Sequence, residues 1–377
     1  MVNTQISMSN WEELNERLQC SPLQPAQFAR PEYKKIFAYL DTLPEFHRVA
    51  RSFKKNPGTG RKGYAQTTLL KLFLVMHMEK IPTYAQLCRF LKNTPKIAHL
   101  LHLHTEIPDR STISRNFNKL NPEDLECLKK AALRRFYEEH PEVIDDMIVD
   151  GTNFGGYGAS HSHTDPEAGW QKKSTAPDVY GYQAVVLVGS QSGLILGSNI
   201  QGKGAAEDKN LMQLFFRGKF IVPLNAQFFL GDARYDCREI STYAHDFLAL
   251  IPIIDYNHRR SPLRCYYQLP ATNWRYKYCP REFWFRTPLF KHLRPRVETP
   301  FNRLKPQGKY IRSNVRGRVR NENWFSFFVL GYNLAKTIAQ EPHSVSWTLE
   351  DWVYHLAFLH CIEHTLAFSC STPFLHQ

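Results

Sequence analysis

The sequence predicts an α/β fold, a mixed sheet with helices preceded by an all-helical module, and two patterns carry that prediction. Upstream of Pro141, apolar residues recur at helical spacing, as in Leu69, Leu70, Phe73, Leu74 and His77. Downstream, short apolar runs bounded by Gly, Asn or Asp take over at 147–149, 184–188, 194–196 and 228–230, which is the pattern of strands. The chain has 377 residues, and roughly 100–200 residues per domain makes that two or three domains. Its 43% hydrophobic and 13% aromatic content supplies a sizeable core and excludes a mostly disordered chain.

Taken in order, residues 1–63 are expected to form an irregular arm broken by Pro22, Pro25, Pro31 and Pro44, ending in the basic linker RSFKKNPGTGRKG. Residues 64–140 form the helical module. Its first helix centres on 69–77 and its second covers 84–91 after Pro82. A third follows Pro108, capped by Asp109 or Ser111 and running to Leu120. A longer helix opens at Asn121 with Pro122, Glu123 and Asp124, and Pro141 follows its end. In 141–340, the second and third apolar runs make a hairpin across GSQSG, and AAEDKNLMQLFFRG reads as a helix. A strand candidate covers 247–254 and a helix candidate 294–305, with a small basic and aromatic insertion around 256–290. Residues 341–377 lack Lys and Arg, and suit a packing helix or a subunit contact.

Several classes of function fall away. No apolar stretch approaches the ~20 residues of a membrane span, and the N-terminus lacks a secretory pattern, so a soluble cytoplasmic protein is expected. Eight scattered cysteines without a CxxC read as reduced thiols. His161, His163 and Asp165 in HSHTD have the look of half a zinc site, but a polar loop is the favoured reading. There is no phosphate-binding glycine loop and no nucleophile elbow.

Charge points to the partner. The formal net charge is +13, and the segment 258–320 holds 17 Lys or Arg against only Glu282 and Glu298. Tyr266, Tyr267, Trp274, Tyr276, Tyr278, Phe283, Trp284 and Phe285 are interleaved with those cations. Cations hold phosphates and aromatic rings stack on bases, so nucleic acid is the expected partner. Arg259, Arg260, Arg275, Lys277 and Arg281 are the candidate contacts there, and Arg115 and Lys119 those of the helical module.

Two aspartates end strand-like runs: Asp150 in MIVDGTNFGG and Asp232 in FFLGDARYD. Strand ends are where α/β sheets gather ligand and catalytic groups, although a carboxylate there also serves as a turn cap. Glu298 is the acid of the basic segment, and on one continuous helix Arg294, Glu298 and Lys305 share a face. Three carboxylates beside a basic groove suit hard divalent cations. Pro300 complicates that helix, which either kinks there or begins near Thr299. Asp236 and Glu239 remain alternative acids, one of them a helix cap.

Asp150 in VDGTN, Asp232 in GDARYD and the string Arg294-x3-Glu298-x6-Lys305 resemble the DDE transposases of bacterial insertion sequences. So do VYGYQAVVLVGSQSGLILGSNIQGKGAAEDKN with Asp208, HTDPEAGWQKK, and IPDRSTISRNFNKL upstream, covering about residues 60–340; Lys291 stands where the family often has tyrosine. The resemblance implies a ribonuclease-H-like five-stranded mixed sheet flanked by helices. It also implies Asp150, Asp232 and Glu298 holding two Mg²⁺ (or Mn²⁺) ions for strand cleavage and strand transfer. Arg294, Arg303 and Lys305 would neutralise phosphates, and paired DNA ends would call for a dimer or larger assembly. Two rival readings stay open: a decayed transposase that only binds DNA, and a nuclease of the same fold.

Overall fold

The computed structural model describes residues 32–52, 63–103, 106–157, 164–171, 178–204, 206–257, 269–270, 272–279, 293–304 and 312–339. All of them belong to one compact unit spanning residues 25–340.

Among the described residues, seven helices precede the sheet: α1 (Tyr33–Asp41), α2 (Pro44–Ser52), α3 (Gln66–Met78), α4 (Tyr84–Asn93), α5 (Pro95–Leu100), α6 (Arg110–Phe117) and α7 (Pro122–Glu139). The expected irregular arm is therefore helical over 33–52, with Pro44 at the first position of α2, where its missing N–H costs nothing. The 1–31 stretch lies outside the described residues. Asp109 caps α6 by accepting from the Ser111 and Thr112 amides at 2.7 and 2.9 Å. Its bonds to Ser111 and Thr112 draw the carboxyl down to about 2. Asn121 caps α7 through the Glu123 amide at 3.2 Å. α5 is an addition to the expected set, opened by the Thr94-Pro95 step.

The sheet has six strands: β1 (Met147–Gly155), β2 (Gly169–Gln171), β3 (Val179–Gly189), β4 (Ile195–Gln201), β5 (Phe228–Gly231) and β6 (Ile251–Ile254). β4, β3 and β1 are antiparallel neighbours, while β1, β5 and β6 run parallel. The sixth strand, β2, pairs with the start of β3. Gly181 meets Gly155 and Gly169, so β2 extends the β4 edge and the sheet keeps five columns. The β3–β4 hairpin turns at Gly193, whose φ of +61° is a conformation that suits glycine. The strand candidate 247–254 divides instead: Tyr243–Phe247 is a π-helical turn that continues α9 (Arg238–Thr242), Ala249 reverses the chain at φ +56°, and only then does β6 begin.

Each face of the sheet is covered. On one side α8 (Glu207–Phe216) packs Leu211, Leu214 and Phe215 against Met147, Val149, Val185, Leu187 and Phe229. Each such fully buried side chain contributes roughly 1.5–3 kcal/mol. On the other side lies α12 (Arg318–Ala339), where Phe154 stacks on Trp324 and Phe325 with centroids 5.5 Å apart in both pairs. Phe327 of the same helix meets Phe73 at 5.6 Å and Phe117 at 6.2 Å. α12 is thus a wall shared by the sheet and the helical module. That explains why α3, expected to bury one face, is buried at every position from Thr68 to Met76.

Candidate active site

β1 and β5 place the two aspartates side by side. Their parallel ladder pairs Met147 with Phe229 and Ile148 with Leu230. Carried forward two residues, the same register sets Asp150 beside Asp232, on strands about 4.8 Å apart and on one face of the sheet. Both side chains are half-buried. Asp232 also accepts from the Arg234 amide at 2.9 Å, capping the 3₁₀ turn Ala233–Tyr235. It is a turn cap and a strand-end carboxylate at once.

A third carboxylate lies on the other face of β1, and the sequence alone did not single it out. Glu207 opens α8, and its carboxyl group packs over Gly151 of β1, where an added Cβ would lie 2.6 Å from the Glu207 carboxyl carbon. Only glycine leaves that room. Arg234 reaches back from the turn after β5 and donates to Glu207 at 2.6 Å. Glu207, Asp232 and Asp150 all raise the guanidinium's affinity for its proton, with Glu207 the strongest. The buried hydroxyl of Tyr235 is pushed well up, chiefly by burial and then by the same three carboxylates. In the sequence, Glu207 carries no signal beyond an acid at a helix start.

Glu298 reaches its place differently. Arg294–Val297 forms a 3₁₀ turn and α11 (Glu298–Leu304) starts only at Glu298, with Pro300 in its first turn. The single continuous helix over 294–305 is thus replaced by two short pieces, because Pro295 and Pro300 withhold amide donors. Arg294 and Glu298 therefore do not share one helical face. The turn packs on β1 and β3, and Arg296 in it is half-buried, donating to the Ser190 carbonyl. Burial draws the Arg296 guanidinium down to about 10, against the nearby Asp145. Glu298 itself is exposed. Among the described residues, no three His, Cys, Asp or Glu side chains form a group that could hold a metal ion. The donor chemistry nonetheless fits a hard cation, with two carboxylates on adjacent strands.

The candidate cations separate into classes. Arg275, in α10 (Arg275–Tyr278), makes two bonds of 2.8 Å to Asp236 and lies over the Trp274 ring at 4.3 Å. The expectation that it offers its charge to DNA does not suit this geometry, since a bidentate carboxylate already neutralises it and the side chain is only 17% exposed. Asp236, buried and also accepting from the Asn257 amide, is likewise structural rather than a spare acid. Lys277 is 63% exposed and lies 4.0 Å from Asp246. Arg115 and Lys119 are exposed on α6 and just beyond it. Arg303 is partly buried near Tyr332 and Lys80. Arg259, Arg260, Arg281, Lys305, His161, His163 and the side chain of Arg294 lie outside the described residues. Asp165 is fully buried, accepting from the Tyr182 hydroxyl and the Gly317 amide, which ties the loop after β1 to the start of α12.

No curated protein matches the chain. Among solved structures, the chain is similar to a piggyBac transposase synaptic complex with hairpin DNA, at 9% identity over 94% of this chain and 84% of that one, with a TM-score of 0.42. It is also similar to a Mos1 transposase paired-end complex with the left transposon end, at 14% identity over 68% and 83% of the two chains, with a TM-score of 0.18. Likenesses this loose carry no argument. The family models do: residues 24–119 match a transposase domain (DUF772), and residues 141–334, just over half of the chain, match the transposase DDE domain. The second match begins where the sequence turns from helices to strands and contains Asp150, Asp232 and Glu298, and so the chain belongs to the DDE transposases, enzymes of DNA transposition that cut DNA and transfer its strands.

Proposed function

We propose that Asp150 and Asp232 form the acidic centre of the strand-cleavage and strand-transfer reactions, with Glu298 as the third carboxylate. The observation that supports this reading is the β1–β5 register, which, extended by two residues, aligns the hard oxygen donors of Asp150 and Asp232. Asp150, Asp232 and Glu298 would hold Mg²⁺ or Mn²⁺, two ions per site. When bound, such ions activate the attacking water or 3′-hydroxyl and stabilise the departing oxygen of an in-line phosphoryl transfer. The chain's own contribution is placement. Strand pairing fixes the two aspartates, and the cap from Asp232 to the Arg234 amide fixes the turn that leaves the site.

Arg294, Arg303 and Lys305 would neutralise phosphates near the cut, and Arg259, Arg260, Lys277 and Arg281 those of the flanking DNA. Arg115 and Lys119 on the capped α6 would read the element end. Because two ends must be joined, the working form would be a dimer or larger assembly on DNA, in the cytoplasm and on the nucleoid. Among the described residues no helix is long and apolar enough to cross a membrane.

A labelled element-end duplex tests the proposal. The wild-type chain should nick it only with divalent metal and join the released 3′ end to a second duplex, whereas Asp150→Asn and Asp232→Asn should bind DNA and do neither. Cleavage without joining would make this chain a nuclease. Binding without metal-dependent cleavage would make it a DNA-binding protein.

A further inference from the structure

Asp150 and Asp232 are aligned across a short contact. β1 pairs with β3 over nine residues but with β5 over two, Met147 with Phe229 and Ile148 with Leu230. Asp232 lies two residues beyond the last of those pairs. On its other side β5 pairs with β6 over four residues, but that strand carries neither aspartate. The alternation of core residues selects the β1–β5 register, and two ladder pairs give it little stiffness.

A side chain extends the hold. Asp146, the residue before β1, is 6% exposed, and its Oδ1 accepts from the backbone amides of Gln227 and Phe228, each at 3.0 Å. Phe228 opens β5, so the carboxylate stands in for one more ladder pair at the start of the strand. Bonds from backbone amides to an ionised acceptor are stronger than those between neutral groups. The Asp146 backbone is itself fixed by the turn between β3 and β4: its amide donates to Ser190 Oγ at 2.9 Å, and its carbonyl accepts from the Ser190 amide at 2.9 Å. One residue therefore joins β5 to the β1–β3 pair. The acid before it does something else. Asp145, fully buried, accepts from the Gln191 and Ser192 amides at 2.6 and 2.9 Å and from the Tyr137 hydroxyl at 2.6 Å, and so holds the turn rather than β5.

We propose that Asp146 is a positioning residue for the cleavage and strand-transfer reactions: its carboxylate docks the start of β5 on β1 and thereby holds Asp232 beside Asp150. The proposal rests on the reading of those two aspartates as the acidic centre. A strand shift of one residue would carry Asp232 about 3.3 Å along β1. Far less is needed to matter, since a misplacement of about 1 Å at a reacting group costs on the order of 100-fold in rate.

The test compares Asp146→Ala, Asp146→Asn and Asp165→Ala in the full chain, on a labelled element-end duplex at saturating DNA and well below each melting midpoint. Asp165 is the control, a fully buried acid that accepts from a backbone amide but ties α12 rather than β5. Asp146→Ala should lower the single-turnover cleavage rate and the Mn²⁺ affinity, followed by calorimetry, by about 10–100-fold each, the usual cost of losing a partner that orients metal-binding groups. Its metal-free DNA affinity should be unchanged. Asp146→Asn, whose amide oxygen still accepts both backbone amides, should recover most of the rate and the Mn²⁺ affinity. Asp165→Ala should lower the melting midpoint and leave both at wild-type values. If Asp146→Ala does not fold, Asp146→Ser takes its place, since the shorter side chain withdraws the acceptor from the amides. The inference is overturned if the variant lacking the carboxylate cleaves and binds Mn²⁺ as the wild type does, or if Asp146→Asn is impaired as much as that variant. Equal losses in Asp165→Ala would also overturn it, because they would report damage to the fold. Should Asp150→Asn and Asp232→Asn cleave normally, the reading of the acidic centre itself falls; should they fail while the Asp146 variants keep the wild-type rate, only the role of Asp146 is removed.

Discussion

Asp150 rides on β1 and Asp232 directly follows the neighbouring β5, whereas Glu298 rides on a seven-residue helix joined to a 3₁₀ turn. The strands hold their aspartates through ladder hydrogen bonds that admit one register, because a slip of one residue would turn Met147 and Val149 out of the core. Helix α11 has no such constraint. Its place comes from the turn before it, where the half-buried Arg296 donates to the Ser190 carbonyl near Asp145. An acid on a central strand is fixed by the fold, while an acid on a short proline-broken helix is fixed by whatever anchors that helix.

The largest effects bear directly on this contrast. Asp150→Asn and Asp232→Asn should each reduce metal-dependent cleavage by about 10³-fold, the several kcal/mol that charge stabilisation supplies. Glu298→Gln should match them in rate. A loss below tenfold would separate Glu298 from the aspartates and move the third acid elsewhere. Arg296→Ala should lower cleavage through α11 while leaving Asp150 and Asp232 in place, so equal Mn²⁺ affinity in Arg296→Ala and wild type would show that α11 adds no ligand.

Acid stability marks the range in which such assays report chemistry. Burial draws the His77 imidazole down to about 4 from an ordinary 6.5, and it is packed between Trp324 and Phe327. The unfolded chain takes up this proton first, so His77 leaves stability intact above pH 6.5 and removes it progressively between pH 6.5 and 4. The full loss is on the order of 3 kcal/mol. Thermal melts across that range should show the decline, and His77→Phe should flatten it. A melt with the same pH slope in His77→Phe would refute the assignment.

Smaller effects follow from the neighbours of the acids. Gly151→Ala should cost about 1–3 kcal/mol, read as a lower midpoint in urea, because the Glu207 carboxylate must move. In salt titrations of DNA binding, Arg115→Gln and Lys119→Gln should each reduce the log–log slope by about 1. Arg275→Gln should leave that slope unchanged and lower stability instead, since it strips Asp236 of its partner.

By itself the sequence determined the fold class, the helices with side-chain caps, four of the strands and the two aspartates. Those features are local: Asp109 and Asn121 cap amides two or three residues away, and apolar runs pair wherever a sheet forms. The family resemblance was also legible, because it rests on ordered motifs along the chain. The tertiary structure decided what the 22-residue α12 does, serving sheet and helical module at once, and it split the 294–305 helix in two. It also decided which charges are spent. Arg275 with Asp236, 39 residues apart, and Arg234 with Glu207, 27 apart, are partners only after the chain has folded. Charge counted along a sequence assigns every Arg to solvent or to a ligand; packing then neutralises some of them, since a carboxylate taken out of water is costly until hydrogen bonds or a cation answer it.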